Sequence, residues 1–162
     1  MAVTQSENCE EFGNENVRIA PLRAEDEAQA RTLILTGLKE HWGVLDERLN
    51  PDLRHLMQTY ADGVFLVAKQ GGTVVGTGAF RPVSDTTVEV VRMSVARPMR
   101  RQGIGRQILE ALCCEASRRG YRQVVLETTA TWHEAIAFYR DFGFQITHRA
   151  EGNVYFVLRL SP

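Results

Sequence analysis

The chain has 162 residues and a formal net charge of −1, and 44% of its residues are hydrophobic and 24% charged. These values match soluble globular proteins, exclude a fibrous or largely disordered chain, and fit one domain. No apolar run is long enough for a membrane span, and the N-terminus lacks the signal-peptide pattern. Three cysteines suffice neither for a disulfide framework nor for a zinc site. We therefore expect a cytoplasmic protein.

The first half of the chain predicts a meander of strands preceded by helices. Residues 1–15 are polar and acidic and predict a disordered leader, followed by a single domain over residues 16–162. Gly71 and Gly72 separate two β-prone runs and indicate a hairpin, whose short connection makes its strands antiparallel. We predict strands over residues 16–20, 64–69, 73–80 and 86–95, and helices over residues 23–38 and 52–60.

In the second half, helices alternate with strands. We predict helices over residues 105–119 and 133–142, and strands over residues 124–128, 144–148 and 153–160. The connection between strands 86–95 and 124–128 is long enough to make this pair parallel. The sequence therefore predicts an α/β fold with a mixed, mostly antiparallel sheet and helices on both faces. We expect the ligand site at the carboxyl ends of the parallel pair.

A glycine-bearing basic loop, Arg100-Arg101-Gln102-Gly103-Ile104-Gly105, lies between a predicted strand and a predicted helix. Its glycines permit a sharp turn, and the start of a helix offers free N–H groups and a positive dipole end to an anion such as pyrophosphate. The loop is neither a P-loop nor a dinucleotide fingerprint, because position 108 is Ile and no Gly-Lys-Ser/Thr follows. A plain tight turn is the alternative.

The chemistry of the loop is reinforced by an excess of arginine. Eight arginines and two glutamates lie between Arg92 and Arg122. Arginine suits phosphate oxygens, so the excess favours an anionic ligand, although a solvated helix face would have the same composition. A nucleic-acid-binding module is disfavoured, because no aromatic residues are interleaved with the arginines and the net charge is close to zero.

The hexad Arg-x-x-Gly-x-Gly resembles the acyl-CoA loop of the GNAT superfamily of N-acetyltransferases. Other similar segments are Arg92–Pro98, Gly120-Tyr121, Leu126–Thr128, Ala135–Tyr139 and Gly143-Phe144. The resemblance implies that the parallel strands splay apart and that acetyl-CoA is the cosubstrate. The cofactor-binding residues that it implies are Met93, Ser94, Val95, Arg100, Arg101, Gln102, Gly103, Ile104, Gly105 and Arg106.

At one position the chain departs from the family pattern. The family often has Asn three residues before the position of Ala135, where this chain has Trp132. A cofactor contact of that Asn is therefore not carried over, and His133 is only a stand-in. The resemblance also places His41 and Trp42 in the region that shapes the acceptor pocket, with surface or core packing as the alternative.

Two residues are candidates for proton transfer. Tyr139 matches the family tyrosine that is the general acid for the CoA thiolate, although it also suits helix packing. Glu89 lies where one branch of the family has its general base. By strand alternation Glu89 shares a face with Val91, Met93 and Val95, as a carboxylate beside a cleft would. An exposed strand acid is the alternative, and Glu127 or a water chain are the rival bases.

The residues and the resemblance together predict transfer of an acetyl group from acetyl-CoA to a primary amine by direct attack in a ternary complex. The acceptor is a small-molecule or peptide amine, and the resemblance allows a homodimer. We expect no metal, no nucleic acid and no membrane as partners, because the histidines lack the spacing of metal ligands. A non-catalytic acyl-CoA-binding sensor that keeps the loop without the chemistry is the alternative function.

Overall fold

A computed structural model describes residues 12–14, 16–44 and 46–161 of the chain. Residues 1–11 and 15, which make up most of the predicted leader, lie outside the described residues. Phe12 packs against the hydrophobic core beneath the sheet, and the Asn14 side chain accepts hydrogen bonds from the N–H groups of Asn16 and Val17, both at 2.9 Å. The described part of the chain therefore begins in contact with the fold.

The fold is a seven-stranded mixed sheet flanked by helices. The strands are β1 (Arg18–Pro21), β2 (Val64–Gln70), β3 (Thr73–Pro82), β4 (Thr87–Val95), β5 (Gln123–Thr129), β6 (Gln145–Ala150) and β7 (Asn153–Arg159). The α-helices are α1 (Glu27–Trp42), α2 (Leu56–Thr59), α3 (Ile104–Arg118) and α4 (His133–Phe142), and 3₁₀ turns cover Ala24–Asp26, Glu47–Leu49, Pro51–Arg54 and Arg97–Met99. The strand order is β1-β2-β3-β4-β5-β7-β6, and β4–β5 is the parallel pair. The predicted fold class is confirmed.

Each face of the sheet has its own hydrophobic core. Apolar residues of α1 and α2, such as Ile34 and Leu56, are buried on one face. The apolar stripe of α3 is buried on the other face together with Tyr139 and Phe142 of α4. Helices therefore cover both faces, as predicted. This arrangement gives the sheet an α1 face and an α3 face.

The boundaries of α1 differ from the prediction. The helix continues through Gly37 and ends at Gly43, which has a φ of 76° and whose N–H donates to the Lys39 carbonyl at 2.7 Å. A Cβ on Gly37 would lie 3.0 Å from Ser94 Oγ, so the glycine allows a close approach of α1 to β4. The helix therefore extends one turn further than predicted, to His41 and Trp42.

The parallel strands separate soon after they begin to pair. Pairing joins Thr87 to Gln123, Val88 to Val124 and Glu89 to Val125, and it ends there. β5 continues to pair with β7 as far as Thr129 and β4 continues to pair with β3 as far as Val95, so the two strands diverge while each keeps its other neighbour. The splayed pair is confirmed, and a gap opens between β4 and β5 beyond Glu89.

A β-bulge in β4 changes which residues share a face. Ala79 opposes Val91 and Thr77 opposes Ser94, so Gly78 of β3 faces two residues, Arg92 and Met93. One extra residue in a strand shifts the alternation of its side chains.

Because of this shift, Met93 and Val95 pack on the α3 face, whereas Val91 packs on the α1 face. Glu89 lies two residues before Val91 and belongs to the α1 face. The prediction that Glu89 shares a face with Met93 and Val95 is therefore wrong.

The two neighbouring cysteines of α3 have different environments. The Cys113 thiol is free and buried in the core, and burial raises its pKa to about 12. Cys114 is disulfide-bonded, which the sequence analysis did not predict. Cysteine usage therefore gives no support to the expected cytoplasmic location. Among the described residues, no helix is both long enough and apolar enough to cross a bilayer.

Candidate active site

The edge of β4 presents unpaired backbone groups to the gap. The Ala96 N–H donates to the Val75 carbonyl at 2.8 Å, and Ser94 opposes Thr77 of β3. Peptide groups alternate in direction along a strand, so those of Val95 and Met93 face the gap while those of Ser94 face β3. Of the three predicted contacts in β4, Met93 and Val95 therefore have backbone groups that face the gap, although the Val95 carbonyl already accepts a hydrogen bond from Arg100 Nε at 2.9 Å.

The glycine loop ends in a helix start with free donors. Arg101 and Gly103 both have left-handed backbones, with φ of 64° and 83°, and α3 begins directly after them. The first N–H to bond back along the helix is that of Gln107, which donates to the Gly103 carbonyl at 3.0 Å. No described residue accepts a hydrogen bond from the backbone N–H groups of residues 103–106. Such a group of free N–H donors is a site for an anion.

The gap and the helix start meet at Gly105. A Cβ on Gly105 would lie 3.6 Å from Val95 Cγ2 of β4 and 3.6 Å from Phe138 Cζ of α4. β4, α3 and α4 therefore converge there. The unpaired edge of β4 runs into the free N–H groups of α3, and this arrangement suits a ligand with an extended arm attached to a phosphate.

The predicted arginines of the loop differ in their availability. Arg100 is occupied by protein partners, because its Nε donates to the Val95 carbonyl at 2.9 Å and its Nη2 to Glu40 Oε2 at 2.8 Å. Arg101 is 90% exposed, and its ion pair with Glu134 is long, at 3.8 Å. Arg106 lies 3.1 Å from Glu110 Oε1 and stacks over the Phe142 ring. Arg101 is the cation best placed to meet an incoming phosphate.

The arginine-rich segment does not form one surface. Arg118 and Arg119 bind Glu115 at the far end of α3, which with 15 residues is about 22 Å long. Arg92 is partly buried and paired with Asp52 on the α1 face. Only part of the charge excess seen in the sequence therefore lies beside the loop.

Tyr139 lies in the α3-face core. The residue is 8% exposed, and its ring has edge contacts with Phe138 and Phe144. Burial raises the pKa of the Tyr139 phenol far above its usual range, so the hydroxyl stays protonated at neutral pH. No hydrogen bond joins this hydroxyl to a described residue, which leaves its proton available to a ligand. Packing and proton donation are both compatible with this position.

Glu89 lies where the gap opens, on the opposite face from Tyr139. It belongs to the last residue pair that joins β4 to β5. Arg81 of β3 binds Glu89 Oε1 through Nε at 2.8 Å and Nη2 at 2.6 Å. The second oxygen, Oε2, accepts no hydrogen bond from the described residues. The carboxylate is thus held in place with one oxygen left for another partner.

The rival base, Glu127, lies further along β5. Its side chain is exposed and opposes Tyr155 of β7. A hydrogen bond to Glu127 raises the pKa of the Tyr155 phenol, so the two side chains are in contact. Glu127 therefore contacts Tyr155 of β7, whereas Glu89 lies at the last residue pair that joins β4 to β5, where the gap begins.

An aromatic contact that the sequence analysis missed joins α1 to the turn before α4. The ring of His41 stacks on Trp132, with 4.2 Å between centroids and 16° between planes, and Trp42 meets His41 edge-on at 4.7 Å. His133 is exposed at the start of α4. At the position where the family often has Asn, the chain therefore has a ring packed against α1. Residues 41 and 132 are too far apart in sequence for any local pattern to have linked them.

The described residues contain no cluster of His, Cys, Asp and Glu that could hold a metal ion. The candidate groups on this part of the fold are the backbone amides of β4 and α3, the Tyr139 phenol and the Glu89 carboxylate. Backbone amides can bind an anion, and a phenol and a carboxylate can donate and accept protons. The candidate chemistry is therefore proton transfer on an anionic ligand.

Comparisons with known proteins agree with this geometry. The model of the acetyltransferase (GNAT) family matches residues 28–144. A mouse protein described as probable N-acetyltransferase family 8 member 5 is 36% identical over 106 residues, which are 61% of this chain and 47% of the relative. The chain thus spans about half the length of the curated relatives it matches.

Solved structures share the fold. A GNAT-family acetyltransferase from Staphylococcus aureus superposes with a TM-score of 0.83 at 20% identity, covering 90% of this chain and 99% of the other. The PaiA N-acetyltransferase of Thermoplasma acidophilum, solved in complex with coenzyme A, gives 0.76 at 16% identity, covering 88% and 98%. Because the family model matches more than half of the residues, the chain belongs to the acetyltransferase (GNAT) family.

Proposed function

We propose that this chain transfers an acetyl group from acetyl-CoA to a primary amine. The observation that supports the proposal best is the continuity of the cleft: the unpaired edge of β4 leads directly to the free N–H groups at the start of α3. An acyl-CoA has the matching shape, with an amide-bearing arm that ends in a pyrophosphate. Family membership and the coenzyme A complex of the PaiA structure support the same cosubstrate.

The residues of the cleft fit this cosubstrate. The peptide groups of Met93 and Val95 would hold the pantetheine arm, and the amides of residues 103–106 would hold the pyrophosphate together with Arg101. Arg100 would act indirectly, since it fixes the Val95 carbonyl and α1. When bound, acetyl-CoA supplies an acetyl group activated as a thioester.

We assign the catalytic roles by the face of the sheet on which each group lies. A backbone N–H of β4 at the gap polarises the acetyl carbonyl. Glu89, through Oε2 or a water that it orders, accepts the proton of the attacking amine on the α1 face. Tyr139 donates its proton toward the leaving sulfur on the α3 face. The gap connects the two faces, so the amine would lose its proton on one side of the sheet and the leaving sulfur would gain one on the other.

The acceptor is a small-molecule or peptide amine. His41, Trp42 and Trp132 form an aromatic cluster where the end of α1 meets the turn before α4, and this cluster and Glu89 would line the acceptor site. Trp42 is 56% exposed, so its ring can contact an acceptor. The first experiment is an acetyl-CoA turnover assay across a panel of amines, read by release of the CoA thiol. If acetyl-CoA binds but no amine is acetylated, the chain is an acyl-CoA sensor instead.

Tyr139→Phe tests the general acid. The change deletes one hydroxyl and keeps the packed ring, so we expect kcat to fall by roughly tenfold to a thousandfold, within the range of one lost proton donor. Acetyl-CoA affinity, measured by calorimetry, should change little. Tyr121→Phe removes a phenol from the edge of the same core and should leave kcat unchanged. A Tyr139→Phe enzyme with wild-type kcat would eliminate the acid role and leave the transferase in place.

Glu89→Gln tests the general base. The amide keeps the shape of the side chain but is not basic, so we expect turnover to fall most at low pH, where the amine is most protonated. Affinity for acetyl-CoA should be kept. Glu127→Gln is the matched comparison on the neighbouring strand. If only Glu127→Gln changes the pH profile, the base is Glu127. If neither changes it, water accepts the proton.

A further inference from the structure

Arg92 has a backbone conformation that is unusual for its residue type. It lies within the bulge of β4 with a φ of 56°, in the left-handed region. Bulges of this kind commonly place a glycine there, because a side chain is strained at such a φ. An unfavourable conformation persists only where surrounding contacts hold it, and such residues cluster at functional sites.

The side chain of Arg92 supplies these contacts. Its Nε donates to Asp52 Oδ2 at 2.8 Å, and its Nη2 donates to Asp52 Oδ1 at 2.6 Å and to Asn50 Oδ1 at 3.1 Å. The side chains of Arg92 and Asp52 are only 18% and 19% exposed. The Tyr60 hydroxyl donates to Asp52 Oδ2 at 2.7 Å. Although burial opposes it, hydrogen bonds from Arg92 and Tyr60 hold the pKa of the Asp52 carboxyl below its usual range.

The backbone of Arg92 is held from the other side by β3. The Thr77 hydroxyl, which is fully buried, donates to the Arg92 carbonyl at 2.8 Å. Arg92 is therefore fixed at its carbonyl by one strand and at its guanidinium by the segment that contains Asn50, Asp52 and Tyr60. That segment lies outside the sheet, so the contact links the α1 face to the interior of β4.

The bulge determines which backbone groups reach the gap. Without the extra residue, the alternation of β4 would be shifted by one position, and the side chains and peptide groups after the bulge would exchange directions. The peptide groups of Met93 and Val95 would then not both face the gap as they do here. The position of the proposed pantetheine contacts thus depends on a conformation at Arg92.

We propose that Arg92 is a positioning residue for acetyl-CoA binding, which it serves by holding the β4 bulge through its partly buried pair with Asp52. This inference rests on the proposed function. The Arg92 guanidinium is occupied by Asp52 and Asn50 and is therefore not free to bind the arm or the pyrophosphate. It acts through the backbone of Met93 and Val95.

The test compares three variants by calorimetric titration with acetyl-CoA. Arg92→Ala removes the guanidinium and keeps a Cβ at the strained φ, so affinity should fall about tenfold to a hundredfold. Arg92→Gly also removes the guanidinium but adopts the same φ freely, so it should recover most of that loss. Lys69→Ala breaks the ion pair with the buried Asp26, 2.8 Å long, and should destabilise the fold while keeping affinity.

Amide hydrogen exchange tests the inference without the cosubstrate. Exchange in residues 90–96 should be faster in Arg92→Ala than in the wild type, and unchanged there in Lys69→Ala. A wild type that fails to bind acetyl-CoA would overturn the proposed function, whereas the exchange result would still decide whether Arg92 holds the bulge.

Two results would overturn the inference. One is a folded Arg92→Ala protein with wild-type affinity. The other is an equal loss in Arg92→Ala and Arg92→Gly, because the guanidinium would then act by its charge and not by holding the backbone. If Arg92→Ala does not fold, the acetyl-CoA affinity of Asp52→Asn tests the inference in its place. This change should weaken acetyl-CoA binding in the same direction, and unchanged affinity in that variant would refute the role.

Discussion

Both ends of α3 have arginines and a left-handed glycine, but they differ in what their backbone groups do. At the start, Gly103 has a φ of 83° and the following N–H groups lack partners among the described residues. At the end, Gly120 has a φ of 89°, and its N–H and that of Tyr121 donate to the Ser117 and Ala116 carbonyls, both at 3.0 Å. One end can bind an anion, and the other has closed its hydrogen bonds within the protein.

The arginines follow the same division. Arg101 at the start is almost fully exposed with only a long ion pair, whereas Arg118 and Arg119 at the end both bind Glu115, at 2.6 and 2.9 Å. Residues of one type therefore have two roles that depend on their neighbours. Composition identifies the charge, but free partners identify the site.

The largest expected effect is a loss of acetyl-CoA affinity when Gly103 is replaced, with the same replacement at Gly120 as the control. Gly103→Val places a branched side chain at a φ that suits glycine and beside the proposed pyrophosphate position, so acetyl-CoA affinity should fall at least about a hundredfold. Gly120→Val has nearly the same φ and, like Gly103, no atom within 4 Å of the added Cβ. It should lower the melting temperature similarly and keep affinity.

Calorimetry and thermal unfolding of both glycine variants provide the measurement. Equal acetyl-CoA affinities in the folded Gly103→Val and Gly120→Val proteins would show that the start of α3 does not bind the ligand. The comparison between the two ends would then fail.

Reversal of the charge at Arg101 should lower acetyl-CoA affinity less than Gly103→Val does. Arg101→Glu replaces an exposed cation at the start of α3 and should weaken acetyl-CoA binding about tenfold, the size of one lost charge-assisted hydrogen bond of about 1.5 kcal/mol. Arg118→Glu makes the same change at the far end and should have little effect on binding. Added salt should weaken the wild type more than Arg101→Glu, because it screens the same attraction. A similar loss in both variants would indicate that net charge alone attracts the ligand.

The smallest effect concerns stability at the far end of α3. Hydrogen bonds from Arg118 and Arg119 hold the pKa of the Glu115 carboxyl below its ordinary value of 4.5. A carboxyl with a lowered pKa stabilises the fold above its ordinary pKa, and this contribution is lost as the pH falls through the folded value. Glu115→Gln should therefore be less stable than the wild type by about 1 kcal/mol at pH 7, and the difference should vanish in acid.

Unfolding of the Glu115→Gln protein, followed from pH 7 to pH 3, is the measurement for this prediction. Acetyl-CoA affinity should stay at the wild-type value. A loss of affinity would mean that the far end of α3 communicates with the cleft.

Much of the fold could be predicted because its signals are local. Apolar periodicity identified α3 and α4, and the predicted bounds of α4, residues 133–142, coincide with the observed ones. The hairpin at Gly71 and Gly72 and the parallel crossover followed from connection lengths. The α2 region was less regular than predicted, since it divides into a 3₁₀ turn over Pro51–Arg54 and a short helix over Leu56–Thr59. Pro51 and contacts with other elements determine where this region is helical.

The bulge was not predictable from the strand pattern. Val90 and Val91 interrupt the alternation in the run from Val88 to Val95, but nothing in the run marks Arg92 as left-handed. Its conformation depends on Asp52 and Thr77, which are 40 and 15 residues away. The face of Glu89 was misassigned for this reason.

The sequence by itself determined the order of elements, the glycine loop before α3 and the residue types available for anion binding and proton transfer. These depend on periodicity, turn residues and short motifs, which act between near neighbours in the chain. The tertiary structure alone decided which arginines are free, where β4 leaves β5, and that His41 stacks on Trp132. Each of these is a contact between segments far apart in sequence, and its partner becomes known only when the sheet and helices are assembled.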